Sequence, residues 1–292
     1  TLPGVHGESI VLRILDRSDT AVELVELGMP QDLLASYENV VTQPHGMVLI
    51  TGPTGSGKTT TLYATLEKIS NEKQKIITVE DPVEYQLDGI TQIQANASIG
   101  LGFAEGLRSI VRQDPDILMI GEIRDHETAE IAIESALTGH LVFSTLHTND
   151  AAGAVTRLQD MGVEGYLISS SLLAIQAQRL VRRVCIECAE THPLSLDEAR
   201  VLDIDSAECI EIRRGKGCER CGQTGYRGRV GLYELLLMSD EIRHQIASGA
   251  DANSIRDTAI KGGMRTLRQD ALEKLRAGLT TPEEVVRVTR AV

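Results

Sequence analysis

The stretch Gly52-Pro53-Thr54-Gly55-Ser56-Gly57-Lys58-Thr59 decides the fold. It matches G-x-x-x-x-G-K-[ST], with a short apolar run (Met47–Thr51) before it and a helical pattern from Lys58 to about Ser70 after it. That strand–loop–helix context separates a phosphate-binding loop from an ordinary glycine-rich turn. Its glycines let backbone N–H groups turn inward around phosphate oxygens, and the helix N-terminus adds the positive end of its dipole. In such a loop Lys58 reaches the β- and γ-phosphates of ATP, and the Thr59 hydroxyl ligates Mg²⁺.

Outward from the loop, the same grammar repeats. Ile76–Val79 ends at Glu80-Asp81-Pro82, Ile117–Ile120 at Gly121-Glu122, and Leu141–Ser144 at Thr145-Leu146-His147. Helical patterns cover Asp32–Tyr37, Asp125–Leu137, Asp150–Met161 and Glu164–Arg183, the last with arginines towards its C-terminus, where the dipole favours them. Apolar strands alternating with helices predict an α/β fold with a mostly parallel sheet. Hydrolysis needs one group to orient water and another to hold the metal. The carboxylates of Glu80 and Glu122 end neighbouring strands, where ligands of such sheets bind. His140 and His147 flank a strand, and His147, at its far end, is the better placed of the two to sense phosphate.

Residues 8–15 also look like a strand, and the sequence enters it almost directly from Thr1, as expected of a piece of a longer protein. After Arg183 the periodicity fades, and from Ser239 onward it is helical again. Thr281-Pro282-Glu283-Glu284 sets a threonine cap, a proline at the first helical position and a glutamate at the third.

Four of the five cysteines form Cys185-x-x-Cys188 and Cys218-x-x-Cys221. Without a secretion signal, two such pairs indicate a metal site in a reducing cytoplasm rather than disulfides. Four thiolates close a tetrahedron around Zn²⁺ and leave no open position, so the zinc is expected to be structural. The long separation implies an excursion between two knuckles, and Cys209 is left as a small hydrophobe.

Composition narrows the function classes. At 292 residues, 42% hydrophobic and 24% charged, the chain has the balance of a globular protein. No apolar run reaches the roughly 18 residues needed to span a bilayer. A net charge of −13 and 3% aromatic residues argue against a nucleic-acid partner.

The loop GPTGSGKT, VEDPVEY at 79–85, LRSIVRQDPDILMIGEIR at 107–124 and TGHLVFSTLHTND at 138–150 together resemble the signature boxes of secretion ATPases. Residues 151–185 with the tetracysteine segment most resemble the type II secretion assembly ATPases, ahead of pilus-extension ATPases and, further off, nucleic-acid translocases of similar architecture. The likeness covers essentially the whole chain. It implies a RecA-like core at 31–183, preceded by the end of a PAS-like α+β domain and linker (1–30). It also implies a zinc-binding insert at 184–230 and a C-terminal helical subdomain at 231–292. By position, Glu80 resembles the acid that activates water, Glu122 the Walker B acid acting on Mg²⁺, and His147 the later histidine of the His box. Arg13 matches an arginine of the preceding small domain, and Arg108 and Arg112 match arginines that approach the γ-phosphate. Such enzymes work as homo-hexamers in the cytoplasm, held at the bacterial inner membrane by platform proteins and driving pseudopilus assembly.

Overall fold

A computed structural model of the chain describes residues 2–10, 22–71, 73–205 and 210–289. A seven-stranded sheet is built from β3 (Gly46–Thr51), β4 (Ile76–Glu80), β5 (Thr91–Gln94), β6 (Ile117–Ile120), β7 (Leu141–Leu146), β8 (Leu172–Val184) and β11 (Tyr226–Leu237). Its order is β11-β8-β3-β7-β6-β4-β5. Every neighbouring pair is parallel except β11 with β8 at one edge. An exposed hairpin of β1 (Leu2–Gly4) and β2 (Gly7–Ser9) precedes it.

Helices cover both faces, which is why the central strands are apolar throughout rather than alternating. On one face lie α1 (Gln31–Val41) and α2 (Lys58–Ile69), packing Tyr37, Leu62 and Leu66 against Val48, Ile50 and Phe143. The other face carries α3 (Phe103–Ile110), α4 (His126–Leu137), α5 (Ala151–Asp160) and α6 (Gly165–Ser171). The short α7 (Leu196–Leu202) and the C-terminal helices α8 (Asp240–Ala247), α9 (Ala252–Lys261), α10 (Leu267–Arg276) and α11 (Pro282–Thr289) share that second core. None of the described helices is long and apolar enough to cross a membrane.

The structure corrects one predicted helix. Glu164–Arg183 is helical only to Ser171, and from Leu172 the chain is a thirteen-residue strand. Leu, Ala, Gln and Arg are good helix formers, so local preference points the wrong way here. The hydroxyls of Ser169, Ser170 and Ser171 bond back to the carbonyls of Tyr166 and Leu167 in the last turn. Beyond it β8 is claimed by β3 on one side and β11 on the other, and a ladder on both edges outweighs a few tenths of a kcal/mol per residue of helix propensity. Strand β11, in a stretch whose sequence shows little periodicity at its start, runs through the expected boundary at residue 230.

The C-terminal capping pattern is also used differently. Glu284, at the third position of α11, accepts from the backbone N–H of Arg182 at 2.8 Å and from its Nε at 3.0 Å. Arg287 adds Nη2 at 2.7 Å, and the Glu284 side chain is 1% exposed. Although burial opposes ionisation, these donors hold the Glu284 carboxyl down to about 2. A folded value below the unfolded one contributes stability that is complete above the unfolded pKa and is lost as pH falls through the folded one. Glu284→Gln should therefore destabilise by about 2–3 kcal/mol near neutral pH. The difference from the parent should shrink steadily from about pH 4.5 towards pH 2. Chemical denaturation across that range measures it, and a pH-independent difference would refute the assignment.

Candidate nucleotide and metal sites

β3 ends at the phosphate loop, β7 one residue before His147 and β6 two before Glu122, while Glu80 is the last residue of β4. These four strands are adjacent in the sheet, so their carboxyl ends line one edge. The loop folds back tightly on itself. Gly52 has φ +153°, and a Cβ there would come within 2.5 Å of both the Gln178 carbonyl oxygen and Ser56 Oγ. Gly57, with φ +89°, forms the N-cap of α2. At the apex Gly55 faces open space, with nothing within 4 Å of an added Cβ. Ser56 Oγ is buried without a hydrogen-bond partner among the described residues. A buried hydroxyl left unpaired costs about 1–3 kcal/mol, and a phosphate oxygen is the kind of acceptor that would satisfy it.

Lys58 Nζ donates to the carbonyls of Gly52 at 2.8 Å and Pro53 at 3.3 Å, so the ammonium already lies over the loop. Burial pulls its pKa below the usual lysine range; Glu122 opposes that shift and Arg179 adds to it. Thr59 is exposed on the first turn of α2.

The two acids stand in different surroundings. Glu122 is 15% exposed and meets Arg124 Nη2 at 2.5 Å and His147 Nε2 at 3.3 Å. Burial pushes its pKa up, but Arg124 and His147 outweigh it and hold the carboxyl below the usual range. Glu80 is 3% exposed. Tyr63 donates to one carboxylate oxygen, while the other accepts from Thr78 at 2.5 Å and Gln92 at 3.1 Å. Burial and this carboxylate push the Tyr63 phenol well above its usual range.

Two of the arginines predicted to approach the γ-phosphate lie on and just after α3. Arg108, on α3, is ion-paired with Glu127 in the first turn of α4, and Arg112 is exposed in the turn after α3. Arg13 and Cys209 lie outside the described residues. His140 is a satisfied connector, its Nδ1 2.9 Å from the Ser135 carbonyl oxygen.

Sequence reasoning missed the supports around the loop. The Thr51 and Thr148 hydroxyls lie 2.6 Å apart, and the Thr148 N–H donates to Thr51 Oγ1 at 2.9 Å. The Thr61 hydroxyl donates to Gln178 Oε1 at 2.8 Å, and Arg179 donates to Asn149. The signal was present as Gln176-Ala177-Gln178-Arg179, a polar run inside an apolar one, but a helical reading of β8 scattered those residues.

The four cysteines converge. Cys185 and Cys188 follow β8, Cys218 and Cys221 precede β11, and between the pairs the chain runs out through β9 (Ala189–Pro193), α7 and β10 (Glu211–Gly215). Their sulfurs lie within 4.8 Å of one another, with Cys185–Cys218 and Cys188–Cys221 at 3.9 Å and Cys218–Cys221 at 3.7 Å. A Zn–S bond of about 2.3 Å gives a tetrahedron with edges of about 3.8 Å, so the set fits zinc. Burial opposes a thiolate, yet the N–H groups of Cys218 and Gly225 hold the Cys221 thiol down to about 6.

Comparison with known proteins agrees with this architecture. The profile of the family described as Type II/IV secretion system protein matches residues 1–287. The chain is 48% identical over 290 residues to the type II secretion system ATPase E of Vibrio cholerae, covering 99% of this chain and 58% of that protein. It is 53% identical over 292 residues to the type II secretion system protein E of Xanthomonas campestris, covering 99% of this chain and 51% of that protein. The chain thus spans a little over half the length of these relatives. Among solved structures, the pilus retraction motor PilT with bound ADP is similar at a TM-score of 0.68 and 29% identity, over 93% of this chain and 68% of that one. The chain belongs to the Type II/IV secretion system protein family.

Proposed function

We propose that this chain is the motor part of a type II secretion ATPase, hydrolysing ATP to drive pseudopilus assembly and protein export. The observation that carries it is the phosphate cradle, with Ser56 Oγ buried and unpaired and Lys58 Nζ over the loop. Relatives near 50% identity bear type II secretion names, which supports the secretion reading. The net charge of −13 weighs against a nucleic-acid track.

In this reading the loop amides and Ser56 hold the phosphates, and Lys58 offsets charge on the β- and γ-oxygens. Mg²⁺ would be held by the hard oxygens of Thr59 and Glu122 and would neutralise phosphate charge. His147 and Arg124 keep the Glu122 carboxylate ionised and oriented. Glu80 would take the proton of the attacking water, and to do so its carboxylate must be released by Tyr63. We place Arg13, Arg108 and Arg112 at interfaces of a homo-hexamer, where charge developing on a neighbour's γ-phosphate would call for them. The divisions expected at residues 30, 183 and 230 are divisions of sequence character, since β8 and β11 carry the sheet across residues 183 and 230 and the C-terminal helices share its core. The protein would work in the cytoplasm, attached to the inner membrane through platform proteins.

Glu122→Gln and Glu80→Gln should each retain nucleotide while slowing turnover by about 10²-fold or more, the usual scale for deleting a general base or a charge-stabilising group. Phosphate release and nucleotide binding, measured in parallel, check this. Parental rates in both variants would refute the assignment of the acids.

A further inference from the structure

Arg179 is a charged residue beside the phosphate loop to which the chemistry above gives no part. On β8, Ala177 pairs with Thr51, the last residue of β3, so Arg179 lies level with the start of the loop. It is 6% exposed, and a buried guanidinium is costly unless its charge and donors are answered. Its Nη2 donates to both oxygens of Asn149, the main-chain one at 2.9 Å and Oδ1 at 3.1 Å. Nη1 reaches the Gln178 carbonyl at 3.4 Å, the same oxygen that crowds Gly52.

None of these acceptors is charged. Asp150 and Glu234 favour the cation from further away, while burial disfavours it. On the other side, Arg179 is a positive charge felt by Lys58. A buried arginine and a half-buried lysine therefore lie beside one loop, an arrangement that a polyanion relieves.

Asn149 belongs to the segment between His147 and Asp150, the N-cap of α5. From the β3 side Thr51 grips that segment at Thr148, and from the β8 side Arg179 grips it at Asn149. The segment begins with His147, 3.3 Å from Glu122.

We propose that Arg179 is a positioning residue of the nucleotide site, clamping the His147–Asp150 segment to the edge of the phosphate loop and supplying, beside Lys58, a second positive charge for the phosphate chain. The inference rests on the ATP-hydrolysing reading of this site. Its two parts separate experimentally. Lysine keeps the charge but, as a point donor, cannot reproduce the guanidinium's planar placement on Asn149, whereas glutamine removes the charge. Asn149→Ala deletes the Oδ1 acceptor and leaves every charge in place.

The test uses equilibrium binding of a fluorescent ADP and steady-state ATP turnover. Arg179→Gln should weaken ADP binding by about tenfold, the scale of one partly screened charge pair, and should slow turnover as well. Arg179→Lys and Asn149→Ala should bind ADP within about twofold of the parent while turnover falls about tenfold or more, the scale of losing one hydrogen bond to a charged group. A merely structural role would instead lower the thermal midpoint and move affinity and turnover together in all three variants. Arg179→Gln binding ADP with parental affinity overturns the charge part. Parental turnover in both Arg179→Lys and Asn149→Ala overturns the clamp. If Arg179→Gln fails to fold, the other two variants still decide the clamp, and ADP affinity at rising ionic strength in Arg179→Met decides the charge. A parent that binds ADP without turning over ATP would instead sink the hydrolytic reading, and the ADP arm would still judge Arg179.

Discussion

Lys58→Ala is expected to reduce ATP turnover by at least about 10²–10³-fold, the scale of removing one preorganised charge from a phosphoryl-transfer site. Its ammonium already lies over the loop, donating to the Gly52 and Pro53 carbonyls. Its pKa is below the usual lysine range because of burial, and it stands close enough to Glu122 to feel that charge. The loop carbonyls thus hold the ammonium beside the glycines that would cradle the phosphates. Alanine leaves two loop carbonyls without their donor and the phosphate charge without its nearest counter-charge. Binding should weaken together with turnover, in contrast to the glutamine variants of Glu122 and Glu80, which should keep nucleotide. Phosphate release and ADP affinity measured side by side distinguish the two patterns. Turnover at the parental rate would exclude the loop as the hydrolytic site.

The second large effect concerns the metal. One zinc per chain is expected, held by Cys185, Cys188, Cys218 and Cys221. Cys221→Ser, or exhaustive chelation, should release it and unfold the excursion between the two knuckles. Leu202 and Ile212 anchor that excursion to the main core, but its base is a two-stranded ribbon of β9 and β10, a unit marginal by itself, with a seven-residue helix alongside. Structural zinc sites bind with about 10–16 kcal/mol in isolated fingers, and part of that energy is folding energy. Limited proteolysis should therefore open cleavage sites between residues 186 and 217 in the metal-free protein. Nucleotide binding should survive, because on the face that carries α2 the sheet packs Val48, Ile50, Leu62 and Leu66 in a core to which the excursion contributes no described residue. Freshly purified protein containing no zinc, with all four thiols freely titratable, would end this assignment. Cys209→Ser should leave the metal content unchanged.

Glu80 shows how far sequence position reaches. Its place at the end of a strand was legible, because an apolar β-branched run leading into an acid is a local pattern. Its hydrogen bonds were not, since Tyr63 comes from α2 and Gln92 from β5. The same division holds for the arginines. A motif places Arg108 on a segment, but the pairing with Glu127 depends on how α3 packs beside α4.

By itself, the sequence determined the phosphate loop, the strands that end at Glu80, Glu122 and His147, and the four cysteines, each of them a short-range pattern of residue type and spacing. Tertiary structure alone decided the rest. β8 is a strand because β3 and β11 supply hydrogen bonds along both its edges, a non-local gain that outweighs its helix-forming composition. Only that pairing brings Gln178 and Arg179 beside the loop, more than a hundred residues away in sequence, where their polar groups find partners in Thr61 and Asn149.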